Sequence, residues 1–424
     1  MSLEMILVSV VNNIVIVILA LAMIPVMVWW ERRIAGFIQD RSGPNRSNIF
    51  GIRLGGLVQG VADMLKLFFK ENLTPAHIKE KKLFVFAPVI LFICSFLTFG
   101  VIPLADDLVL GTQTFVMQAV PVDVGILWFL AFAGLSVYGI ILGGYASGNK
   151  YAILGSIRAS AQTISYELAM GLAVVSMILS YNTINLNDMV VAQGELIFGI
   201  FPSWGILIQP LAAVIFIVTC FAETNRAPFD VAEGESEIVA GYHTEYSAMG
   251  FGLFQVGEYI ALSASSALIV TIFFGGYQIP WMDTATIKEN IEIMLFAVML
   301  VVPVILYFFI GWIKKNNVWP NEDDIRFGET KILVKLFSII GFLVVAIIGA
   351  MLVIGIEQIG TNISTAIFQF FAFFVKFLMM NFVFVWVRWT LLRFRYDQIQ
   401  KLGWEVLLPL ALLNIFITAI VVVW

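Results

Sequence analysis

The sequence predicts an all-α membrane protein, a polytopic bundle of about ten transmembrane helices with a short amphipathic helix at the membrane interface. Composition supports this class, because 60% of the 424 residues are hydrophobic, only 12% are charged and the mean hydropathy is +0.96. These values exclude a water-exposed protein. Apolar runs of about 20 residues recur along the whole chain, and each is long enough to cross a hydrocarbon layer of roughly 30 Å as a helix.

The predicted spans follow one another along the chain. They lie near residues 5–30, 84–104, 124–145, 152–180, 204–222, 246–275, 291–313, 333–356, 364–387 and 405–423. The first span begins with an acidic leader, MSLEM, and lacks a small-residue cleavage pattern, so we expect a retained helix and not a signal peptide.

The distribution of basic residues supports this number of spans. Of the 24 Lys and Arg residues, 22 fall in connections on one side of the membrane. The opposite side has only Lys288, and Lys376 lies within a span. Because connections rich in Lys and Arg face the cytoplasm, both termini are expected on the outer, non-cytoplasmic side. We expect Lys376 to find a carboxylate partner inside the bundle.

Residues that could hold a redox group are scarce. Cys94 and Cys220 lie far apart in two predicted spans, so no disulfide framework is predicted. His77 and His243 are the only histidines, too few for a bis-histidine haem site within the membrane or a Cys/His metal cluster. No strand is predicted, so no nucleotide-binding loop follows one. We expect no bound metal or flavin in this chain and no nucleic-acid partner.

Two charged segments follow the first span. Glu31 precedes Arg32 and Arg33, and a carboxylate beside two guanidiniums predicts an ion-paired site for a polar headgroup, although the arginines alone fit interfacial anchoring. Residues 56–71 predict an amphipathic helix with Asp63 and Lys66 on its polar face. This helix could lie in the headgroup region, or Asp63 could turn toward a protein cavity.

Carboxylic acids mark two further regions. Glu167 lies midway along the fourth span, where an ionised group costs about 2.5–3.5 kcal/mol, so it should face the bundle interior and could carry protons. The connection 223–245 has six acids and one base, Arg226, interleaved with apolar and aromatic residues. Such a connection is either a solvated loop or a loop packed on protein. Packing would leave some acids protonated, able to sense charge and store protons.

Near the C-terminus, residues 385–398 set three arginines among aromatic residues, which predicts either an interfacial belt or a docking surface for a cytoplasmic partner. Together these segments resemble the H subunit of bacterial NADH-quinone oxidoreductase, the counterpart of subunit 1 of mitochondrial respiratory complex I. The matching segments are Glu31-Arg32-Arg33 with Gln39, Arg41 and Gly43-Pro44-Asn45, Ala62-Asp63 to Lys70-Glu71, Ser165-Tyr166-Glu167, Phe221 to Arg226 with Pro228-Phe229-Asp230, Glu235-Ser236-Glu237, Glu245-Tyr246, and Arg393 to Gln398.

The resemblance implies a tunnel through which a quinone, ubiquinone or menaquinone, reaches toward an iron–sulfur subunit. The residues implied to bind quinone are Glu31, Arg32, Arg33, Gln39, Arg41, Asp63 and Lys66. Those implied to begin a proton path are Glu167, Glu223, Asp230, Glu233, Glu235, Glu237 and Glu258. The candidates for docking partner subunits are Arg393, Arg395 and Asp397.

The resemblance also implies an organisation and a location. The expected units are a core of residues 1–281 with a quinone-site loop at 31–83 and an acidic loop at 223–245, an inserted pair of helices at 282–360, and a C-terminal hairpin at 361–424. Family members usually have eight spans, so the inserted pair is expected to be peripheral. The implied partners are the peripheral-arm iron–sulfur and quinone-module subunits and the other membrane-arm subunits, including antiporter-like ones, in the lipid bilayer of the bacterial plasma (inner) membrane.

The predicted function is coupling of quinone reduction to proton translocation, with electrons supplied by a partner. Two other functions remain open. The chain could be the quinone-independent membrane subunit of an energy-converting hydrogenase, which quinone-dependent activity would exclude. It could also be a stand-alone secondary ion transporter, which flux through the purified chain alone would support.

Overall fold

The computed structural model of the chain is a helical bundle, described over residues 3–110, 113–197, 199–316, 325–355 and 357–423. Its helices are α1 (Leu3–Ile38), α2 (Val58–Phe69), α3 (Lys81–Phe99), α4 (Gly125–Ala146), α5 (Lys150–Tyr181), α6 (Leu186–Ala192), α7 (Gly205–Ile208), α8 (Pro210–Glu223), α9 (Glu235–Ile238), α10 (Ala248–Phe273), α11 (Thr284–Glu289), α12 (Ile291–Asn316), α13 (Ile325–Ile354), α14 (Gln358–Thr390), α15 (Tyr396–Lys401) and α16 (Leu408–Val423). A π-helical turn, Leu402–Leu407, joins α15 to α16.

The prediction of a polytopic all-α bundle is confirmed. Within the described residues, nine helical stretches are long and apolar enough to cross a membrane. They correspond to nine of the ten predicted spans. The remaining one is predicted as a single helix over 204–222. In the structure it is divided into the single turn α7 and the apolar helix α8, which is shorter than a membrane span. Pro210 begins α8. Because proline has no backbone N–H and its ring crowds the preceding turn, a continuous helix through this position is disfavoured.

The prediction that no strand is present is wrong in two places. Strands β1 (Leu108–Leu110) and β2 (Gln113–Phe115) form an antiparallel hairpin, and β3 (Leu196–Ile197) and β4 (Phe201–Pro202) form a second one. Each is only two or three residues long and lies between predicted spans, so neither alters the fold class. The apolar residues of these short hairpins carry too little alternation to be recognised from sequence.

Helix α10 forms the centre of the bundle. Nearly all of its side chains are buried, and it packs against α1, α3 and α14. Helix α3 approaches it closely because Gly257 of α10 faces Leu91, and a side chain there would collide with the leucine. Gly139 of α4 faces the same leucine from the other side, so small residues allow three helices to pack tightly.

Helices α12 and α13, hereafter the additional helix pair, lie at the periphery. They pack against each other, and very few of their side chains are buried. The pair joins the rest of the bundle through a small apolar cluster around Ile287, Ile291 and Leu295, which also contacts Phe368 of α14.

Lys376 has no carboxylate partner among the described residues, so that prediction is wrong. The ammonium of Lys376, on α14, instead donates hydrogen bonds to the backbone carbonyls of Phe274, Gly276 and Gln278 at 2.8, 3.0 and 2.6 Å. These carbonyls follow the end of α10, where backbone acceptors lack partners within the helix and carry partial negative charge. The lysine therefore caps α10 and needs no acid.

Candidate functional site

A cavity of about 460 Å³ lies between α1, α2 and α10. Its polar wall carries Arg32, Asp63 and Lys66. The apolar wall includes Ile24, Val28, Leu67, Phe251 and Val256. A pocket with one apolar side and a few polar groups suits a ligand that is itself part apolar and part polar.

Helix α2 supplies the polar wall because its two faces differ. Val61, Leu65 and Phe68 are exposed along one stripe, whereas Asp63 points back toward α1. A guanidinium nitrogen of Arg32 lies 2.5 Å from a carboxylate oxygen of Asp63, and the Gln59 amide donates to the same carboxylate at 3.0 Å. Of the two interpretations of α2, the structure therefore has Asp63 lining a cavity while the apolar stripe faces outward.

Glu31 is buried and ion-paired, but its partners among the described residues are not the neighbouring Arg32 and Arg33. Consecutive helical residues point about 100° apart, and Glu31 faces the bundle instead. It is 8% exposed, and Arg388 of α14 donates to its carboxylate at 2.6 Å. The Tyr259 hydroxyl donates to its other oxygen at 2.7 Å.

The other predicted quinone-binding residues near α1 lie outside the cavity. Arg33 donates to the backbone oxygens of Ser42 and Gly55 at 2.6 and 2.9 Å, so it fixes the loop after α1. Arg41 donates to the Gln39 side chain at 2.7 Å, and both residues are exposed. The structure thus groups Arg32, Asp63 and Lys66, but not Arg33, Gln39 and Arg41.

Arg226 is the central cation behind the cavity. It is 4% exposed and lies 3.6 Å from Glu31 and 3.5 Å from Glu258, measured between guanidinium nitrogen and carboxylate oxygen. Its guanidinium also stacks over the Tyr259 ring at 4.4 Å. Burial alone would lower the pKa of Arg226, but Tyr259, Glu31 and Glu258 outweigh that effect and raise it. Arg226 is therefore a permanent positive charge shared by two acids.

The acidic loop packs on protein, as one of its two interpretations required. Tyr242, fully buried, donates a hydrogen bond to Glu258 of α10. Burial and the nearby Glu258 raise the pKa of Tyr242 well above its ordinary value, so it remains a donor. Glu233 accepts a hydrogen bond from the Gln255 side chain at 3.3 Å. We call Glu31, Arg226, Glu258, Tyr242 and Glu233 the buried charge network.

Asp230 lies at the edge of this network. Burial and the neighbouring Glu233 raise its pKa to about 6, against the opposing effect of Arg393. Glu237 differs, because it is exposed and pairs with Arg158 at 2.6 Å, which lowers its pKa. The structure therefore separates Glu237 from the enclosed acids, and the side chain of Glu235 lies outside the described residues.

Glu167 and Glu223 lie together at a second position. Glu167 is partly buried on α5, and its carboxylate lies directly against Gly134 of α4, where a Cβ would be 2.7 Å from its oxygen. Glu223, at the end of α8, is close enough to Glu167 for their charges to repel. One carboxylate oxygen of Glu223 is buried and has no hydrogen-bond partner within the described residues.

Of the candidate docking residues, Arg395 and Asp397 are exposed and pair with each other at 2.8 Å. Arg393 is partly buried beside Asp230 and Gly234, two residues of the acidic loop. Arg388, for which the sequence predicts either an interfacial belt or a docking surface, is a direct partner of Glu31.

Two residues that sequence reasoning missed connect the cavity with the buried charge network. Tyr259 lines the cavity and donates to Glu31, and Gln255 lines the cavity and donates to Glu233. Both lie on α10 one helical turn apart, so they share a face. A signal was present, because Gln255, Glu258 and Tyr259 place three polar groups within five residues of a predicted span.

Comparison with known proteins decides the family. A sequence profile described as NADH dehydrogenase matches residues 11–317 and 328–419. The chain belongs to the NADH dehydrogenase family. The matched ranges of this NADH dehydrogenase profile include the cavity residues, the acidic loop and both helices of the additional pair.

Relatives in the NADH dehydrogenase family match nearly the whole chain. A Bdellovibrio bacteriovorus protein, named as the H subunit of NADH-quinone oxidoreductase, is 38% identical over 97% of this chain and 96% of its own length. A Flavobacterium psychrophilum protein of the same name is 35% identical, with coverage of 96% and 95%. A Rhodothermus marinus protein named NADH-quinone oxidoreductase subunit 8 is 37% identical, with coverage of 93% and 91%. The resemblance carried by short segments is therefore confirmed over nearly the whole chain.

Proposed function

We propose that this chain is the membrane subunit of a proton-pumping NADH-quinone oxidoreductase, where it forms the quinone cavity and begins the proton path. The observation that carries the proposal is Tyr259, which lines the cavity and donates to the buried Glu31. One hydroxyl thus connects a ligand-sized space with a network of ionisable groups. Family membership supports the same function over its rivals.

The cavity suits a quinone because the two halves of that molecule differ. Ile24, Val28 and Leu67 offer apolar surface for an isoprenoid tail. Arg32 and Lys66 offer hydrogen-bond donors for the carbonyl oxygens of the ring. Quinone is the substrate here, and its electrons come from an iron–sulfur partner subunit.

The same arrangement supports a role in proton transfer. Reduction of a quinone to a quinol consumes protons as well as electrons, so the charge beside the cavity changes during turnover. Tyr259 and Gln255 transmit that change to Glu31 and Glu233, because each shares a hydrogen bond with one of these acids. Acids with coupled titrations respond to a new charge by releasing or taking up protons. We propose that Glu258, Glu167 and Glu223 carry these protons onward to antiporter-like subunits.

The orientation and the partners complete the proposal. The charge distribution favours a cytoplasmic side, in a bacterial plasma membrane, for the quinone-site loop, the acidic loop and the exposed pair Arg395–Asp397, with both termini outside. The peripheral-arm subunits would dock on that side. An energy-converting hydrogenase subunit would need no quinone cavity, and a stand-alone transporter would need no partner surface.

The test uses the assembled complex purified from native membranes. Replacing Asp63 with Asn removes the partner of Arg32 while keeping the side-chain shape, and should lower quinone reductase kcat/KM about tenfold, equivalent to roughly 1.4 kcal/mol. Tyr259→Phe should lower coupled proton pumping more than quinone reduction. Glu71→Gln, an exposed change just beyond α2, serves as the matched control.

Unchanged quinone kinetics in an assembled Asp63→Asn complex would remove the cavity from the proposal. A purified complex that reduces no quinone would favour the hydrogenase interpretation, and ion flux through the isolated chain in liposomes would favour the transporter.

A further inference from the structure

Within the described residues, a buried ion pair joins the additional helix pair to the quinone-site loop. A carboxylate oxygen of Glu329, on α13, lies 2.7 Å from the Nε of Arg53, in the loop between α1 and α2. Arg53 is 3% exposed and Glu329 is 2% exposed. The pair therefore lies inside the protein, although α13 is otherwise exposed along most of its length.

Arg53 belongs to a loop that several side chains hold in place. It donates to the backbone and side-chain oxygens of Asn45. Arg33 and Trp29 of α1 both donate to the Gly55 carbonyl, at 2.9 and 3.0 Å. Fixed in this way from α1 and from α13, residues 45–57 have little freedom of their own.

The same loop leads directly into α2. Leu57 precedes α2, and the helix then places Asp63 and Lys66 in the cavity wall. Gly60, in the first turn of α2, also packs against Pro25 of α1. Any shift of the loop must displace the start of α2, and with it the polar wall that faces Arg32.

We infer that the additional helix pair positions the quinone-site loop, and that Glu329 and Arg53 are positioning residues for quinone binding. This inference rests on the proposed function of the cavity. The Glu329–Arg53 pair acts at a distance from the cavity, through the loop and the start of α2.

An ion pair is suited to this task because burial makes it selective. Two charges removed from water are stable only when they meet in good geometry, and loss of one partner leaves the other uncompensated. Arg53 therefore favours the one loop position in which Glu329 is reached. An apolar contact between the same elements would tolerate sliding, because the hydrophobic effect has no direction.

The experiment compares Glu329→Gln with the parent in the complete purified complex. Hydrogen–deuterium exchange of residues 45–57 should become faster, because the loop loses one of its anchors. The KM for a short-chain quinone should rise about tenfold with a smaller change in kcat, since small misplacements of binding groups have effects of that size. Lys331→Gln, an exposed change two residues further along α13, is the matched control and should alter neither quantity.

Two more variants separate positioning from general damage. Glu329→Asp keeps the charge and should restore part of the exchange protection and of the KM. The double variant Arg53→Glu with Glu329→Arg exchanges the two charges. Its loop exchange rate and its KM should lie closer to those of the parent than the values of either single variant do. An unchanged rate of hydrogen–deuterium exchange at residues 45–57 in Glu329→Gln would overturn the inference. Faster exchange with an unchanged KM would overturn it as well. A parent complex without quinone reduction would instead refute the proposed function, while the exchange data still report on the loop.

Discussion

At the scale of single residues, Asp230 shows opposing effects of burial and charge. Burial and Glu233 raise its pKa to about 6, although Arg393 and Arg388 act in the other direction. An aspartate in the unfolded chain has a pKa near 3.9. The folded protein therefore binds this proton more tightly than the unfolded chain does. The resulting stabilisation is complete below about pH 4 and is lost as the pH rises through about 6.

Asp230→Asn should therefore stabilise the protein at pH 7 to 8 by roughly 1–3 kcal/mol, because the amide has no charge to desolvate. The gain should disappear below about pH 4, where Asp230 becomes protonated in both states. Thermal unfolding of the purified complex across this pH range measures the effect. Glu71→Gln, at an exposed acid, should leave the curve unchanged. An equal gain at every pH would show that the pKa of Asp230 is the same in the folded protein as in the unfolded chain.

Some residues could be predicted from sequence, but their partners could not. The mid-span depth of Glu167 and the mixture of acids with aromatic residues in the acidic loop follow from the order of residues alone. The partners of Glu31 are Arg226, Tyr259 and Arg388, which are 195 or more positions away in the chain. Such pairs depend on how helices pack, and local periodicity carries no information about packing between distant helices.

At the scale of elements, Gly134 of α4 leaves room for an acid of α5. The carboxylate of Glu167 occupies the space that a side chain at Gly134 would fill. Two helices can therefore enclose an acid between them without separating. The residue type at position 134 controls where the carboxylate lies, because a methyl group 2.7 Å from its oxygen would force it to move.

Gly134→Ala should lower the ratio of protons pumped to quinone reduced about two- to tenfold, since the displaced acid no longer faces its present neighbours. Quinone reduction itself should change less, because the cavity lies on other helices. Proton uptake by proteoliposomes containing the complex gives this ratio. Gly171→Ala is the matched control on α5, where an added Cβ meets nothing within 4 Å. Normal pumping by Gly134→Ala would exclude Glu167 at its present position from the path.

Element boundaries were predictable where apolar runs end in charge or glycine, and less so elsewhere. Residues 84–104 and 124–145 predict α3 and α4 to within a few residues. The last span was expected from residue 405, but its helical stretch begins at Tyr396. Residues 396–404 are mixed polar and aromatic, so hydropathy alone gave no reason to extend the helix. The break at Pro210 lies inside an apolar run, so hydropathy gives no sign that the helix is interrupted there.

At the scale of the whole molecule, the charge distribution and the bundle together define two sides. The predicted inner side carries the cavity, the acidic loop and the exposed Arg395–Asp397 pair. The predicted outer side carries both short hairpins and α11. This asymmetry predicts which connections are reachable from outside the cell.

A membrane-impermeant maleimide should label Glu357→Cys in intact cells, because residue 357 lies between α13 and α14 on the predicted outer side. Glu80→Cys, in the connection between α2 and α3, should react only after the membrane is opened. Both native cysteines are buried, so background labelling should be low. The reverse pattern would invert the proposed orientation and place both termini inside.

The position of Arg226 between Glu31 and Glu258 has a consequence for how such proteins diverge. One guanidinium balances two acids that are separated by more than half the chain. A lineage that loses the arginine would remove a cation from both acids, with Arg388 left as a partner of Glu31, and one that neutralises either acid would leave the guanidinium half satisfied. Substitutions at these three positions should therefore arise as a group across descendants, even though no two of them are neighbours in the gene.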